Sequence, residues 1–220
     1  METFIFIAAN LPAIAQRMLE HISLVGMSIC IAILTGVPIG ILITQSKATA
    51  DRVLYIAAII MTIPSIALFG VLIPILSLIG QGIGYLPALI ALILYAQLPI
   101  IQNTYTAIMN VDPALREAAR GMGMTTLQRL IRLELPIALP VIVNGIRSAV
   151  VLNIAIGAIA TYIGAGGLGT FISRGITQTD IRQLLTGAFA VSLLAIIADF
   201  ILLATQRALT SPGLKKNDPA

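Results

Sequence analysis

The sequence predicts an all-α membrane protein with five transmembrane helices and, on one side, a polar helix-glycine-helix loop. Three observations lead there. Of the 220 residues, 58% are hydrophobic and 10% are charged, with a mean hydropathy of +1.02; so little polar surface cannot coat a water-soluble domain. The apolar stretches are continuous rather than alternating, which suits spanning helices and not a barrel. At roughly 20 residues per crossing, the chain has length for five.

Residues 1–21 read as an N-terminal extracytoplasmic or interfacial segment. Glu2 stands where a cleavable leader would carry basic residues, and Leu11 to Glu20 suits a short amphipathic helix lying in the interface. His21 closes this segment as a polar anchor at the membrane boundary. Residues 22–206 form the transmembrane region. Span one runs from Ile22 to Thr44, with a kink at Pro38. Span two, Val53 to Ile79, contains Pro64 and Pro74 and is expected to be bent or locally unwound. Gly80 to Gly84 make a tight turn. Span three, Leu86 to Ile108, contains Pro87 and Pro99 and ends near Gln102, Asn103, Thr104 and Tyr105, a polar set that is expensive in lipid. Span four, Ile137 to Ile163, leads into the glycine-rich Gly164 to Gly169 and a polar segment through Arg182. Span five, Gln183 to Leu203, leaves residues 207–220 as a basic tail with Arg207, Lys215 and Lys216.

Between spans three and four lies the longest polar interval, Glu117 to Pro136, within a loop of residues 112–136. Asp112 is a natural N-cap and Pro113 suits the first helical position, so a helix runs to about Arg120. Gly121 and Gly123 end it. Thr125 and Gln128 form a capping box for a second helix through Leu135, which Pro136 is expected to terminate.

Five spans put the two termini on opposite sides. One side holds Lys47, Arg52, Arg116, Arg120, Arg129, Arg132, Arg207, Lys215 and Lys216; the other holds Arg17, Arg174 and Arg182. The positive-inside rule places the polar loop and the C-terminus in the cytoplasm and the N-terminus outside. This asymmetry also accounts for the basic pI without a nucleic-acid partner. Arg147 and Asp199 fall inside spans, about 15 Å and about 10 Å from the assumed cytoplasmic ends at 1.5 Å per residue, a geometry that allows an intramembrane ion pair.

Chemistry within the chain is sparsely provided for. With His21 and Cys30 the single residues of their types, neither a metal set nor a Ser/His/Asp arrangement is available, and Cys30 reads as a small packing residue. The Gly164 to Gly169 spacing matches a dinucleotide fingerprint, but it follows an apolar span rather than a strand, so a close-packed outer turn fits better. No lysine follows a phosphate-binding glycine loop, so ATP hydrolysis by such a loop is not expected here.

Glu117, Ala118 and Ala119, three residues, Gly123, nine residues, then Leu133, any residue, Leu135 and Pro136 resemble the E-A-A-x3-G-x9-I-x-L-P signature of bacterial ABC importer permeases, with Leu133 in place of isoleucine. The resemblance covers nearly the whole chain. It implies the type I importer permease core and a loop whose coupling helices sit in a groove of a cytoplasmic ATP-binding subunit, through Glu117, Ala118, Ala119, Gly121, Gly123, Leu133 and Pro136. ATP and Mg would then be bound by that partner, and this chain would hold no cofactor or metal of its own. A second permease subunit, identical or paralogous, is implied across a two-fold axis, and so is a separate extracytoplasmic substrate-binding protein. The stretches Leu98 to Tyr105 and Val111 to Thr125 are similar to the glycine betaine, carnitine and choline branch, although Gln102 stands where many of that branch have arginine. Kinked spans two to four are candidates for the pathway lining, with Pro64, Ser65, Asn103, Tyr105 and Asn153 as its residues. The alternatives are a permease for another small amine or an amino acid, and an ion-coupled secondary carrier, which would call for more intramembrane acids and an inverted repeat.

Overall fold

Long apolar runs fold as the long helices of a bundle, and most breaks fall at glycine, proline and asparagine. The computed structural model describes residues 2–209. Its helices are α1 (Glu2–Ala9), α2 (Leu11–Leu42), α3 (Lys47–Thr62), α4 (Ser65–Ser77), α5 (Tyr85–Met109), α6 (Pro113–Gly121), α7 (Thr126–Arg129), α8 (Leu135–Ile159), α9 (Gly169–Thr177) and α10 (Ile181–Leu209). Tight turns at Ile43–Gln45 and Ala160–Ile163 and a wide π turn at Leu130–Glu134 join some of them. Among the described residues, Leu11–Gln45, Tyr85–Met109, Thr126–Ile163 and Ile181–Leu209 are each long and apolar enough to cross a membrane, and α3 with α4 makes a further candidate bent by 98°. The expected basic tail lies, beyond Leu209, outside the described residues.

Helix α2 corrects the expected boundary at residue 21. Nothing between Glu20 and Ile22 breaks a helix, so Leu11 to Glu20 and span one share a single helix of 32 residues, which α1 precedes. His21 is 1% exposed, packed inside the bundle rather than anchoring on its surface. Its ring fits against Gly157 and Gly167, where a Cβ would crowd it, and Nε2 donates to Ile154 O at 3.1 Å. Cys30 faces outward as a free thiol rather than packing inside.

The break between α3 and α4 follows from proline. The residue before a proline is pushed out of the helical region, and Ile63 is extended at ψ 127°. Its freed carbonyl accepts a hydrogen bond from the Tyr95 hydroxyl of α5, which is how irregular backbone is tolerated at depth. Pro74 leaves α4 unbroken.

The core is centred on α5, which buries Ala88, Ala91, Leu92, Tyr95, Ala96, Ile100 and Ile101 along its length. Small residues bring its neighbours close, as association without a hydrophobic driving force requires. Gly36 and Gly40 of α2 face Ile100 and Thr104, and Gly145 of α8 faces Asn103 and the Pro99 carbonyl. Asn153 of α8 ties the three helices together: Nδ2 donates to Ser28 Oγ at 3.1 Å and to Leu92 O at 3.0 Å. At the far end from the polar loop, Gly84 N–H donates to Ile163 O at 2.8 Å, and Gly167 N–H donates to Glu20 at 3.0 Å. The glycine-rich turn is therefore pinned to α2. Beyond it, the expected polar segment contains α9, which folds back on α10 through Gly175 and Gly187. The outer surface of α10 stays uncovered, with Phe189, Ile196, Ile197, Phe200 and Ile201 exposed.

Candidate functional site

The polar loop is built by local capping. Asp112 accepts from Ala114 N–H at 2.8 Å and starts α6. Gly123, at φ +78°, makes the elbow, a backbone that favours glycine. Gly121 is instead the last residue of α6 and has no such requirement. Both halves of the Thr125 and Gln128 capping box are present, at 3.3 Å and 2.9 Å. Pro136 does not end the second helix as expected. A proline ring clashes with the carbonyl four residues back in a regular helix; here the preceding π turn, in which Leu135 N–H bonds Leu130 O, widens the backbone and the chain runs on into α8. Glu117, Ala118, Gly121, Gly123 and Pro136 lie on the surface, Leu133 is half-buried and Ala119 is buried. Leu115, Met122 and Leu127 are also exposed on this loop.

Beneath the loop is a residue that sequence reasoning missed. Glu134 is 5% exposed. Its Oε1 accepts from Arg129 Nε at 2.8 Å and lies 3.2 Å from Arg116 Nε. Arg116 Nη2 also donates to Ile108 O, near the end of α5. A space of about 330 Å³ beside this cluster is lined by Thr44, Gln45, Met109, Arg116, Arg129 and Glu134. The available signal was an acid standing between leucines in an otherwise basic segment. At the other end of the molecule, Arg182 hydrogen-bonds the Asp180 carboxyl in the α9–α10 turn and, with Gln183, holds its pKa down to about 2.

A second polar feature runs along the spans. Met61, Leu98, Pro99, Gln102, Asn103, Thr106 and Ser148 line a groove of about 390 Å³ between α3, α5 and α8. Ser148 also borders a neighbouring hollow of about 440 Å³ with Asn144, Arg147, Val151, Leu152 and Asp199. Arg147 and Asp199 meet in a two-pronged pair across α8 and α10, with Nη2 to Oδ2 at 2.8 Å and a second bond from Nε to Oδ1. Polar groups at this depth are costly against lipid, so this face belongs against protein or water. Of the residues expected along a pathway, Asn103 lines this groove, and its Nδ2 donates to Pro99 O at 2.8 Å. Pro64 and Ser65 sit at the α3–α4 bend. Tyr105 packs instead against Ile43, Ala50 and Ile101, and Asn153 is 0% exposed in the core. Asn153 is folded inward where its helix packs closely, while Tyr105 stays partly exposed. Among the described residues, no group of histidine, cysteine, aspartate and glutamate is arranged to hold a metal.

A bundle of long apolar helices, broken once at proline, with a polar face along the spans and a capped surface loop, defines the membrane subunit of a transport system. The chain belongs to the family of binding-protein-dependent transport system inner membrane components, which it matches over residues 36–211. It is similar to the osmoprotectant import permease protein OsmW of Salmonella typhimurium, at 50% identity over 98% of this chain and 100% of that one. It is 36% identical to the choline transport system permease protein OpuBB of Bacillus subtilis, over 96% of this chain and 95% of the relative. Among solved structures, the inward-facing MetNI methionine ABC transporter superposes with a TM-score of 0.79 at 26% identity, covering 88% of this chain and 94% of the other. The fold is also that of a bacterial alginate ABC transporter, with a TM-score of 0.60 at 19% identity. This chain is accordingly the multi-pass permease component of an inner-membrane ABC importer that works with an ATPase and a substrate-binding protein.

Proposed function

We propose that this permease imports small quaternary-ammonium osmoprotectants such as glycine betaine, carnitine and choline. The observation that carries the reading is the 50% identity, over 98% of the chain, to a permease named for osmoprotectant import. A relative named for glycine betaine, carnitine and choline transport supports it at 35% identity. With no tryptophan and 5% aromatic residues, the chain is poorly equipped for the aromatic cage that holds a quaternary ammonium best. Selection therefore belongs to the separate binding protein, and this chain supplies the conduit. Two copies, or this chain and a paralogue, enclose the pathway, with the Gln102, Asn103 and Ser148 face turned toward it. The loop of residues 112–136 seats the cytoplasmic ATP-binding subunit, which holds ATP and Mg. ATP binding must then favour the outward-open arrangement over the inward-open one for transport to follow. The excess of arginine and lysine on the loop side supports an external N-terminus.

Reconstitution with the ATP-binding subunit and binding protein tests this directly. The expected outcome is ATP-dependent uptake of labelled glycine betaine, carnitine or choline. Uptake driven by an ion gradient without the ATP-binding subunit would sink the reading. Uptake of an amino acid alone would favour the second reading, which the likeness to a methionine transporter supports. Labelling of Thr125→Cys in a Cys30→Ser background from outside intact cells would reverse the orientation.

A further inference from the structure

We propose that Glu134 is a positioning residue that makes the α6–α7 loop move as one body with α8 and the end of α5. This rests on the coupling role proposed above. The Glu134 side chain is 7% exposed, and a carboxylate so placed needs partners because a lone buried charge is strongly penalised. Its partners come from both halves of the loop: Arg116 on α6 and Arg129 on α7. Arg116 reaches on to Ile108 O near the end of α5. The buried acid at the head of α8 thus links α6 and α7, and Arg116 extends that link to α5.

The π turn makes the arrangement possible. Glu134 is the last residue of the widened Leu130–Glu134 turn, where it lies under the loop while Arg132, two residues earlier in the same turn, stays exposed. Other ties are few. α6 buries only Ala119, α7 buries no residue, and a side chain placed at Gly123 would meet nothing. Without the acid, a push on α6 would flex the elbow and leave the two arginines facing each other uncompensated. With it, the push reaches α8 and α5, which carry Asn144, Ser148, Gln102 and Asn103 of the polar face.

The test is Glu134→Gln in the full importer with its ATP-binding subunit and loaded binding protein. Solute moved per ATP hydrolysed should fall about tenfold, a coupling loss of the size seen for residues that link distant sites. The amount of ATP-binding subunit that co-purifies should stay within about twofold of wild type. Glu134→Asp should recover about half of the lost ratio or more, since it restores the charge at a shorter reach. Adding Glu134→Gln to Arg129→Gln should lower the ratio less than the two effects multiplied, as expected for one network. A wild-type ratio in Glu134→Gln, or activity lost only in proportion to lost complex, overturns the proposal. If Glu134→Gln does not assemble, Arg129→Gln, which keeps the Arg116 contact, replaces it: a lowered ratio in intact complex supports the proposal and a wild-type ratio overturns it. Gly123→Val separates the levels: if it uncouples and Glu134→Gln does not, only this proposal fails. If neither does, the coupling role of the loop fails with it.

Discussion

Gly145→Ala is the sharpest perturbation of the bundle, because it adds a single methyl where α8 meets α5. That methyl would lie 2.6 Å from Asn103 Cβ and 2.7 Å from the Pro99 carbonyl. Ordinary contact is 3.4 to 4 Å, so the helices must part by about 1 Å. The backbone carbonyl cannot rotate away as a long side chain would. Overpacking of this kind costs about 1–3 kcal/mol, and the intrinsic gain of alanine over glycine in a helix returns about 0.5–1 kcal/mol. The net loss of about 0.5–2 kcal/mol corresponds to a fall in Tm of about 1–8 °C for a chain of this size. Gly26→Ala in α2 is the control, since its methyl meets nothing within 4 Å and only the helix gain remains. Its Tm should hold or rise by about 1–3 °C. Thermal unfolding of both variants in one detergent, followed by helical circular dichroism, reads the difference. If Gly145→Ala melts at or above the Gly26→Ala variant, the close α5–α8 contact is not as described.

Other substitutions probe the loop and the buried polar groups. Gly123→Val has room for its side chain but not for φ +78°, a strain of about 1–2 kcal/mol; solute moved per ATP should fall several-fold, with Gly123→Asn milder, and equal ratios for both would remove the elbow from the mechanism. Asn153→Leu loses the bonds to Ser28 and Leu92 and should cost about 1–2 kcal/mol in detergent unfolding, while a gain in Tm would mean that these bonds do not hold the core. Arg147→Gln and Asp199→Asn should each lower the yield of assembled importer several-fold, and the exchanged pair Arg147→Asp with Asp199→Arg should restore part of it. Yields unchanged in both single variants would show that the intramembrane pair is dispensable.

How much of this was legible in the chain depends on the range of the interaction that decides each feature. Local grammar read well: the Asp112 cap, the Thr125 and Gln128 capping box and the break at Pro64 are all set by neighbours within a turn. Proline read less well when the backbone had another way to accommodate it. Pro136 looks like a stop, but a π turn just before it relieves the clash and lets α8 continue. Pro74 likewise sits inside an unbroken α4.

Burial was harder still. In a soluble helix the apolar stripe marks the inner face; in a membrane helix lipid and protein both accept leucine, so periodicity does not tell inside from outside. His21 therefore read as a boundary anchor, although glycines distant in sequence, Gly157 and Gly167, make the space that buries it. Tyr105 and Asn153 read as pathway residues for the same reason, because their polarity is visible in the sequence and their packing partners are not. The exposed polar groups show the converse. Gln102 stands out in the sequence as part of a polar set that is costly in lipid, and it lies in the groove with Asn103 and Ser148. Glu134 joins the two cases: its charge is local, its burial is not, and only the fold shows that the arginines around it come from both sides of the elbow. Residues that are costly in lipid and neither buried nor paired are thus the ones whose exposure sequence reads best, and those made tolerable by distant glycines or arginines need the structure.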